Sequence, residues 1–424
     1  MWEFKEGFMT EFLKKYFKGD GIIWGVVISL SLISMLAVYS STGTLAYKFQ
    51  GGNTAYYILK HFSFMLVGLI AIYITHLIPY KYYSRLAQLF LIIAIPLLAI
   101  TLVLGTAFNS APRWLTLPGI GITIQTSDFA KLALIMYIAR ILSLRQDEIK
   151  DFYKSFLPII LPVGIVCVLI LPANLSTSLI IFIVSVILMF IGRISIKHIL
   201  LMGFVAALLI ACFIWLAPMT KTGFGYRVET WKHRIESFFV KKDKEKGEEE
   251  NFQVEQAKIA VAMGGILGKG PGNSTQRNFL PHPYSDFIYA IIVEEYGLIG
   301  AIIVLFLYLY LLYRAGVIVR KADRTFPAFL TIGLAISLVF QAMINMAVAV
   351  NLLPVTGQTL PLVSMGGSSI LFSSTALGII LSVSRGINKE EIETPSQKGE
   401  MESESKSEKD IEPAKENMTE NIML

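Results

Sequence analysis

Ten apolar runs, most of them long enough to cross a bilayer, constrain the fold of this 424-residue chain more than any other feature. A transmembrane helix needs about 20 predominantly apolar residues, and helices satisfy their own backbone hydrogen bonds in lipid. The sequence therefore predicts an all-α, polytopic membrane protein with about ten transmembrane helices. The predicted spans are residues 22–41, 57–77, 84–104, 127–144, 156–171, 175–191, 197–217, 286–313, 326–350 and 366–384.

The distribution of charge gives the predicted orientation. Lys and Arg concentrate in alternate short loops, whereas the opposite short loops hold only Lys48 and Arg113. Because cytoplasmic loops carry the excess of Lys and Arg, both termini are predicted to be cytoplasmic. Residues 388–424 carry 11 Asp and Glu against 5 Lys, so the net charge of +6 corresponds to about +12 over the rest of the chain. This basic excess is dispersed over the short loops, which argues against nucleic-acid binding. Cys167 and Cys212 lie in apolar runs and are interpreted as small hydrophobic residues.

The same pattern divides the chain into five regions. One large extracytoplasmic loop separates spans one to seven from spans eight to ten. The charged, Ser-rich C-terminal tail lacks aromatic residues and is predicted to be disordered. The regions are an amphipathic N-terminus (1–21), transmembrane helices 1–7 (22–217), the extracytoplasmic loop (218–285), transmembrane helices 8–10 (286–384) and the tail (385–424).

Two loops contain features of their own. Within the large loop, residues 251–267 have the pattern of an amphipathic helix, and the almost wholly charged run 241–250 is predicted to be solvated. Residues 345–369 are rich in Pro and Gly yet mostly uncharged and apolar. Irregular backbone of this kind at membrane depth must be shielded by protein or a cavity, so a re-entrant segment is predicted there.

Three carboxylates mark the stretch 278–297. Asp286 stands at the outer boundary of the eighth predicted span, and Glu294 and Glu295 lie inside that span. A charged residue at a helix centre costs roughly 2.5–3.5 kcal/mol on insertion scales and usually marks function. Asp286 is predicted to act as a general base at the membrane surface, the alternative being a helix N-cap.

The two glutamates are predicted to act structurally and electrostatically. On a helix, Glu294 lies about 12 Å beyond Asp286 at roughly 1.5 Å per residue, too far for the simplest catalytic geometry. One of the glutamates is predicted to pair with Lys131 or with another buried donor. Lys131 itself either balances a buried acid or extends to the headgroups.

Five motifs are spread along the chain: Pro112-Arg113-Trp114, Asp128 with Ala130-Lys131-Leu132-Ala133, Gly268-Lys269-Gly270-Pro271, Asp286-Phe287-Ile288 with Glu294-Glu295 and Gly297, and Asn351-Leu352 through Gly366-Gly367-Ser368-Ser369. In these motifs the chain resembles the shape, elongation, division and sporulation (SEDS) family, whose best-known members are FtsW, RodA and SpoVE, and it is most similar to the FtsW-like members. One departure is that residues 173–177 replace the family's Pro-Asp-Leu-Gly-Thr run, so the acidic residue usual at that turn is missing.

The resemblance implies a peptidoglycan glycosyltransferase of the bacterial plasma membrane that polymerises lipid II at the outer face during septal wall synthesis. The implied partners are lipid II, a class B penicillin-binding protein, other division proteins and membrane lipids. The open alternatives are a lipid II flippase, an elongation-type RodA-like polymerase and a non-catalytic division scaffold. A lipid diphosphate leaving group needs cations, and Arg offers a bidentate fork for it. The candidate substrate-binding residues are Arg113, Trp114, Lys131, Lys269, Arg277 and Ser368. A divalent cation would assist this chemistry, but no ligand spacing indicates a metal site.

Overall fold

The computed structural model describes residues 17–43, 45, 47, 51–108, 111–116, 123–216, 248–280 and 283–387. Every predicted span coincides with a helix, so the all-α polytopic fold is confirmed. The helices are α1 (Gly21–Ser41), α2 (Thr54–Leu77), α3 (Tyr80–Leu104), α4 (Thr126–Leu144), α5 (Leu157–Ile170), α6 (Leu175–Ile191), α7 (Ile196–Leu216), α8 (Glu248–Gly264), α9 (Ile288–Lys321), α10 (Thr325–Ala349) and α11 (Gly367–Ile387).

Length and composition make most of these helices candidate membrane spans. Within the described part of the chain, seven helical stretches qualify, and α6 and the first part of α7 are shorter apolar helices. Helix α4 is 19 residues long and contains Asp128, Lys131 and Arg140. The seven stretches are α1, α2, α3, residues 152–170 including α5, α9, α10 and α11.

Side-chain caps define where several helices begin. The Asp20 carboxylate accepts hydrogen bonds from the backbone N–H groups of Ile22 (2.9 Å) and Ile23 (3.1 Å) at the start of α1. Its other oxygen accepts from the Arg314 guanidinium of α9. One carboxylate therefore caps α1, where free N–H groups need partners, and also joins α1 to α9.

The core lies around α4, α10 and α11. Helix α10 packs against α4, α6 and α9, and most of its residues are buried. Helices α2 and α3 are peripheral. On α2, for example, Leu59, Phe62 and Leu66 are about half exposed or more. Such apolar faces suit lipid contact, and polar side chains instead point into the bundle.

A small antiparallel sheet interrupts the all-α pattern in the loop after α3. Strand β1 (Thr106–Phe108) pairs with β2 (Ala111–Thr116), which pairs with β3 (Thr123–Gln125). In the register, Trp114 pairs with Gln125 of β3. The sheet was not predicted, and it carries Arg113 on its central strand.

Helix α9 is not the continuous span that the sequence predicts over 286–313. It begins at Ile288, extends to Lys321 and is broken at Gly297 (φ 67°, ψ −164°). The turn after α8 closes the break: the Lys269 N–H donates to the Glu294 carbonyl (3.0 Å), and the Leu298 N–H donates to the Gly265 carbonyl (2.9 Å). A Cβ at Gly297 would collide with backbone of this turn, so only glycine fits there.

Helix α8 confirms the helix predicted at 251–267. Ala257, Ala260 and Gly264 are buried on one face, whereas Glu255 and Lys258 are exposed. The remaining predictions for residues 1–16, for the loop portion 217–247 and for the tail from residue 388 lie outside the described residues. Residues 241–247 of the charged run fall in that loop portion, whereas residues 248–250 begin α8.

Candidate functional site

Asp286 lies in the short turn that leads into α9 and is partly buried. Its Oδ1 accepts a hydrogen bond from the Ser285 hydroxyl at 2.8 Å. The N-cap position of α9 is Phe287, and no side chain caps the helix there. The structure therefore places the N-cap at Phe287 and not at Asp286, the alternative predicted from the sequence.

Arg113 and Asp286 flank the same glycine. A Cβ placed on Gly357 would lie 3.6 Å from the Arg113 Nη1 and 3.6 Å from the Asp286 Oδ2. Gly357 has φ +64°, a conformation that glycine adopts without steric cost. The Arg113 Nε donates to the Ala173 carbonyl at 2.8 Å, which aims the guanidinium from the sheet across the α5–α6 turn. Trp114 follows on the same strand and is half-buried.

Residues 351–366, called here the re-entrant segment, form the wall of the site. The segment has irregular backbone, and residues 360–364 are buried, as the sequence predicts for this loop. Leu362 has φ 63°, which is strained for a residue with a side chain. Side chains of the helices donate hydrogen bonds to its backbone carbonyls: Ser34 (α1) to Val363, Tyr308 (α9) to Pro361, Gln341 (α10) to Thr359 and Asn345 (α10) to Gln358. In the opposite direction, the Gln358 side chain donates to the Thr177 hydroxyl of α6.

The re-entrant segment also binds the turn that carries Asp286. The Met365 N–H donates to the Tyr284 carbonyl at 2.9 Å, and the Ser364 hydroxyl donates to the Ser285 carbonyl at 2.6 Å. Burial raises the pKa of the Tyr284 phenol, and the nearby negative charge of Asp286 raises it further. Tyr284 is therefore neutral near pH 7.

Lys131 bonds to the core as predicted, but through neighbours that the sequence did not specify. Its Nζ lies 2.5 Å from the Gln341 Oε1 and 3.6 Å from the Asp128 Oδ1. The side chains of Lys131 and Asp128 are only 12% and 10% exposed, so Lys131 does not extend freely to solvent. Its acidic partner is Asp128 on the same helix, one turn away.

Glu294 bonds instead with the turn after α8. Glu294 is fully buried, and its Oε1 accepts from the Lys269 Nζ at 2.6 Å and from the Thr275 N–H at 3.0 Å. Its Oε2 accepts from the Ser274 hydroxyl at 2.5 Å. Of the two predicted pairings, the one with another donor is the one observed. The arrangement agrees with a structural role for this glutamate.

Glu295 is also buried and faces α1. Its Oε1 accepts from the Ser40 hydroxyl at the end of α1 and from the Ser274 N–H at 3.2 Å. Arg277 donates to the Ser40 carbonyl at 2.9 Å. The glutamates therefore join the turn after α8, the break in α9 and the C-terminal end of α1.

Two of the predicted substrate-binding cations are engaged in this internal network. Lys269 bonds to Glu294 and to the Thr275 hydroxyl (2.8 Å), and its side chain is 26% exposed. Arg277 bonds to Ser40. These bonds give both cations a structural role, and their contact with substrate stays a prediction. Ser368 lies in the first turn of α11, and its buried hydroxyl has no partner within the residues described.

Sequence reasoning missed the uncharged polar residues of α10. Gln341 and Asn345 are 2% and 1% exposed and are spaced so that they share one helix face. The available signal was two amides at i, i+4 in an apolar run. No group of three or more His, Cys, Asp or Glu suited to a metal ion occurs within the residues that the structure describes.

The fold and site together define a polytopic membrane protein with a carboxylate and a guanidinium held at one end of its helical bundle. The profile of the FtsW/RodA/SpoVE family of cell cycle proteins matches residues 20–389, and the chain belongs to this family. The resemblance noted from the motifs is thereby confirmed.

Similar proteins include FtsW of Trichlorobacter lovleyi, named a probable peptidoglycan glycosyltransferase, which is 33% identical over 89% of this chain and 97% of its own length. Stage V sporulation protein E of Bacillus subtilis is 32% identical over 85% and 95%.

Solved structures share the fold. One chain of a peptidoglycan synthase complex, described as coordinating polymerization and crosslinking, has a TM-score of 0.64 at 24% identity and covers 87% of this chain and 98% of its own. RodA of Thermus thermophilus has a TM-score of 0.61 at 23% identity, with coverage of 87% and 97%.

Proposed function

We propose that this chain is a peptidoglycan glycosyltransferase that polymerises lipid II, with Asp286 as the general base. The observation that carries the proposal is that Asp286 and Arg113 both approach Gly357, where the Asp286 Oδ2 and the Arg113 Nη1 each lie 3.6 Å from the position of its Cβ. A base and a cation at one site are the two groups that glycosyl transfer from a lipid diphosphate requires. The names of the curated relatives support the reaction class.

The reaction follows from this geometry. The acceptor sugar hydroxyl attacks the anomeric carbon of the donor sugar, and Asp286 takes the hydroxyl proton. A new C–O bond forms while the bond between the anomeric carbon and the diphosphate oxygen breaks. The electron pair leaves with the lipid diphosphate, whose growing negative charge Arg113 stabilises. Trp114, beside Arg113 on β2, provides an aromatic surface for the sugar or the lipid.

Lys131 and Ser368 are proposed to support the same site from the core side. Lys131 holds Gln341, which binds the Thr359 carbonyl at 2.9 Å. Thr359 in turn shares a hydrogen bond with Ser369 at 2.7 Å, next to Ser368 in α11. A positive charge at one end of this chain of contacts and a helix N-terminus at the other favour a nearby anion.

We also propose that the protein acts at the outer face of the bacterial plasma membrane during septal wall synthesis, with both termini in the cytoplasm. The charge pattern of the short loops supports this orientation. A class B penicillin-binding protein is the proposed partner. The support is that one chain of similar fold comes from a complex that coordinates polymerization and crosslinking.

The test is polymerisation of purified lipid II by the purified protein, alone and with its cognate penicillin-binding protein. Glycan strands should form, and the Asp286→Asn protein should not make them. A separate assay would follow fluorescent lipid II across the bilayer of proteoliposomes. Transbilayer movement without any glycan synthesis would overturn the proposal and favour a flippase.

A further inference from the structure

Asn345 is an amide side chain buried in the core beside Asp286. It is 1% exposed and lies on α10, four residues before that helix ends at Ala349. A buried amide must use its hydrogen-bonding groups or lose free energy. Both bonds from Asn345 Nδ2 go to backbone carbonyls, and neither carbonyl belongs to α10.

These two bonds join the two walls of the site. The Nδ2 donates to the Asp286 carbonyl at 2.9 Å and to the Gln358 carbonyl at 2.6 Å. Gln358 follows Gly357, the glycine that Asp286 and Arg113 flank. Because the two N–H groups of a primary amide diverge at a fixed angle in one plane, Asn345 sets the distance and direction between Asp286 and the Gly357 turn.

Gln341, one turn earlier, provides a second bond of the same kind. Its Nε2 donates to the Thr359 carbonyl at 2.9 Å, and its Oε1 accepts from the Lys131 Nζ at 2.5 Å. Lysine is only a donor, so Lys131 fixes which end of the amide faces Thr359. Two amides therefore bind consecutive carbonyls, Gln358 and Thr359, of the re-entrant segment.

The amide at position 345 is only partly satisfied. Within the residues that the structure describes, the Asn345 Oδ1 is buried without a hydrogen-bond partner, and an unsatisfied buried polar atom costs about 1–3 kcal/mol. An apolar residue of similar size would remove this cost but would take the Asn345 donor away from the Asp286 and Gln358 carbonyls. The two bonds that join these carbonyls are therefore what the amide contributes.

We propose that Asn345 is a positioning residue that holds the Asp286 carboxylate in register with Gly357 and Arg113, with Gln341 and Lys131 fixing the adjoining carbonyl. This inference rests on the proposed role of Asp286. Asn345 acts through the backbone of Asp286 and Gln358, so it affects the rate of the chemical step more than the affinity for lipid II.

Ser34 provides a matched control. Its hydroxyl donates to the Val363 carbonyl at 2.8 Å and shares a hydrogen bond with the His61 Nε2 of α2 at 2.8 Å, so it anchors the same segment from α1 through bonds that do not include the Asp286 backbone. Ser34 is also fully buried. A variant at Ser34 therefore measures the general cost of loosening the re-entrant segment.

The experiment compares Asn345→Leu, Asn345→Asp and Ser34→Ala in purified protein. Rates of lipid II polymerisation are measured over a range of lipid II concentrations, with thermal unfolding in detergent as the measure of stability. Asn345→Leu should lower kcat about 100-fold, the effect expected of a small misplacement of a catalytic group, and change KM less than about threefold. Ser34→Ala should lower kcat less than about threefold, at an equal or larger loss of thermal stability.

Asn345→Asp covers the case in which the leucine variant does not fold. In its protonated form the acid has the shape of asparagine but a single O–H donor, so it keeps at most one of the two bonds. Its kcat should fall between those of wild type and Asn345→Leu. Equal kcat losses in Asn345 and Ser34 variants of equal stability, or a loss confined to KM, would overturn the positioning role. Normal polymerisation by Asp286→Asn would instead overturn the proposed base, whatever the Asn345 variants do.

Discussion

Asp286 and Glu294 are acidic residues eight positions apart in one motif, yet they differ in burial and in hydrogen bonding. Glu294 is fully buried, and both its oxygens are bonded to a lysine, hydroxyls and backbone N–H groups of the turn after α8. Asp286 is only partly buried, and its Oδ2 and the Arg113 Nη1 each lie 3.6 Å from the Cβ position of Gly357. A carboxylate saturated by bonds is held in place, whereas a base must be reachable by the hydroxyl whose proton it takes.

The comparison shows how one helix provides both kinds of site. The break at Gly297 exposes carbonyls and N–H groups that α9 cannot satisfy by itself, and the turn at 265–270 satisfies them. Glu294 stabilises that junction through Lys269. The junction fixes the N-terminal half of α9, which begins at Ile288, two residues after Asp286. The buried pair thus supports the segment that follows the proposed base.

The largest expected effect on polymerisation comes from a change at Asp286. Asp286→Asn keeps the size of the side chain and removes its basicity, so polymerisation of lipid II should fall at least about 100-fold. Thermal unfolding should match wild type within about 1 kcal/mol, because Asn still accepts a bond from Ser285. Near-normal polymerisation by the pure, folded variant would eliminate Asp286 as the base and move attention to Glu294.

The next effect is on the Glu294 side and should appear first in stability. Lys269→Met leaves the fully buried Glu294 without its cation, and breaking a buried ion pair costs about 3–5 kcal/mol. The measurement is thermal unfolding and the yield of folded protein. The control is the double variant Lys269→Met, Glu294→Gln, which removes both charges and should lose less stability than the sum of the single variants. Additive losses would show that the two side chains are not coupled.

A third, smaller effect is expected at Lys131. Lys131→Met leaves Asp128 without its nearby cation and frees Gln341 to rotate, so polymerisation should fall about tenfold, equal to about 1.4 kcal/mol. Glu148→Gln is the matched control, because Glu148 pairs with Arg145 and Lys154 at the surface, with each side chain more than 40% exposed. Exposed pairs contribute little. Normal assembly and activity of Lys131→Met would refute the pairing role.

The smallest effect is expected from the charged run 241–250, of which residues 241–247 lie outside the described residues and residues 248–250 begin α8. It has no apolar side chain to bury and should be solvated in any fold. Replacement by a Gly/Ser linker of equal length should leave glycan synthesis unchanged, measured in parallel with Asp286→Asn. A loss as large as that of the Asp286 variant would show that the run binds substrate or partner.

The sequence by itself determined the class of fold and indicated where along the chain the candidate site lies. Apolar runs identify spans because a helix must be about 20 apolar residues long to cross a bilayer, and all ten predicted spans coincide with helices. Asp286, Arg113 and the re-entrant segment stand out because polar or irregular sequence is costly beside lipid. These are properties of each residue and its near neighbours.

Only the tertiary structure decided which partner each charge has. Lys131 bonds to Gln341, 210 positions away, and Arg277 to Ser40, 237 positions away, and no local spacing encodes such contacts. The break at Gly297 depends on a backbone turn from another part of the chain. Asn345 reads as an ordinary polar residue in an apolar helix until its two carbonyl partners are seen. Hydrogen bonds of buried groups are directional and short, so they depend on packing that a linear pattern does not specify.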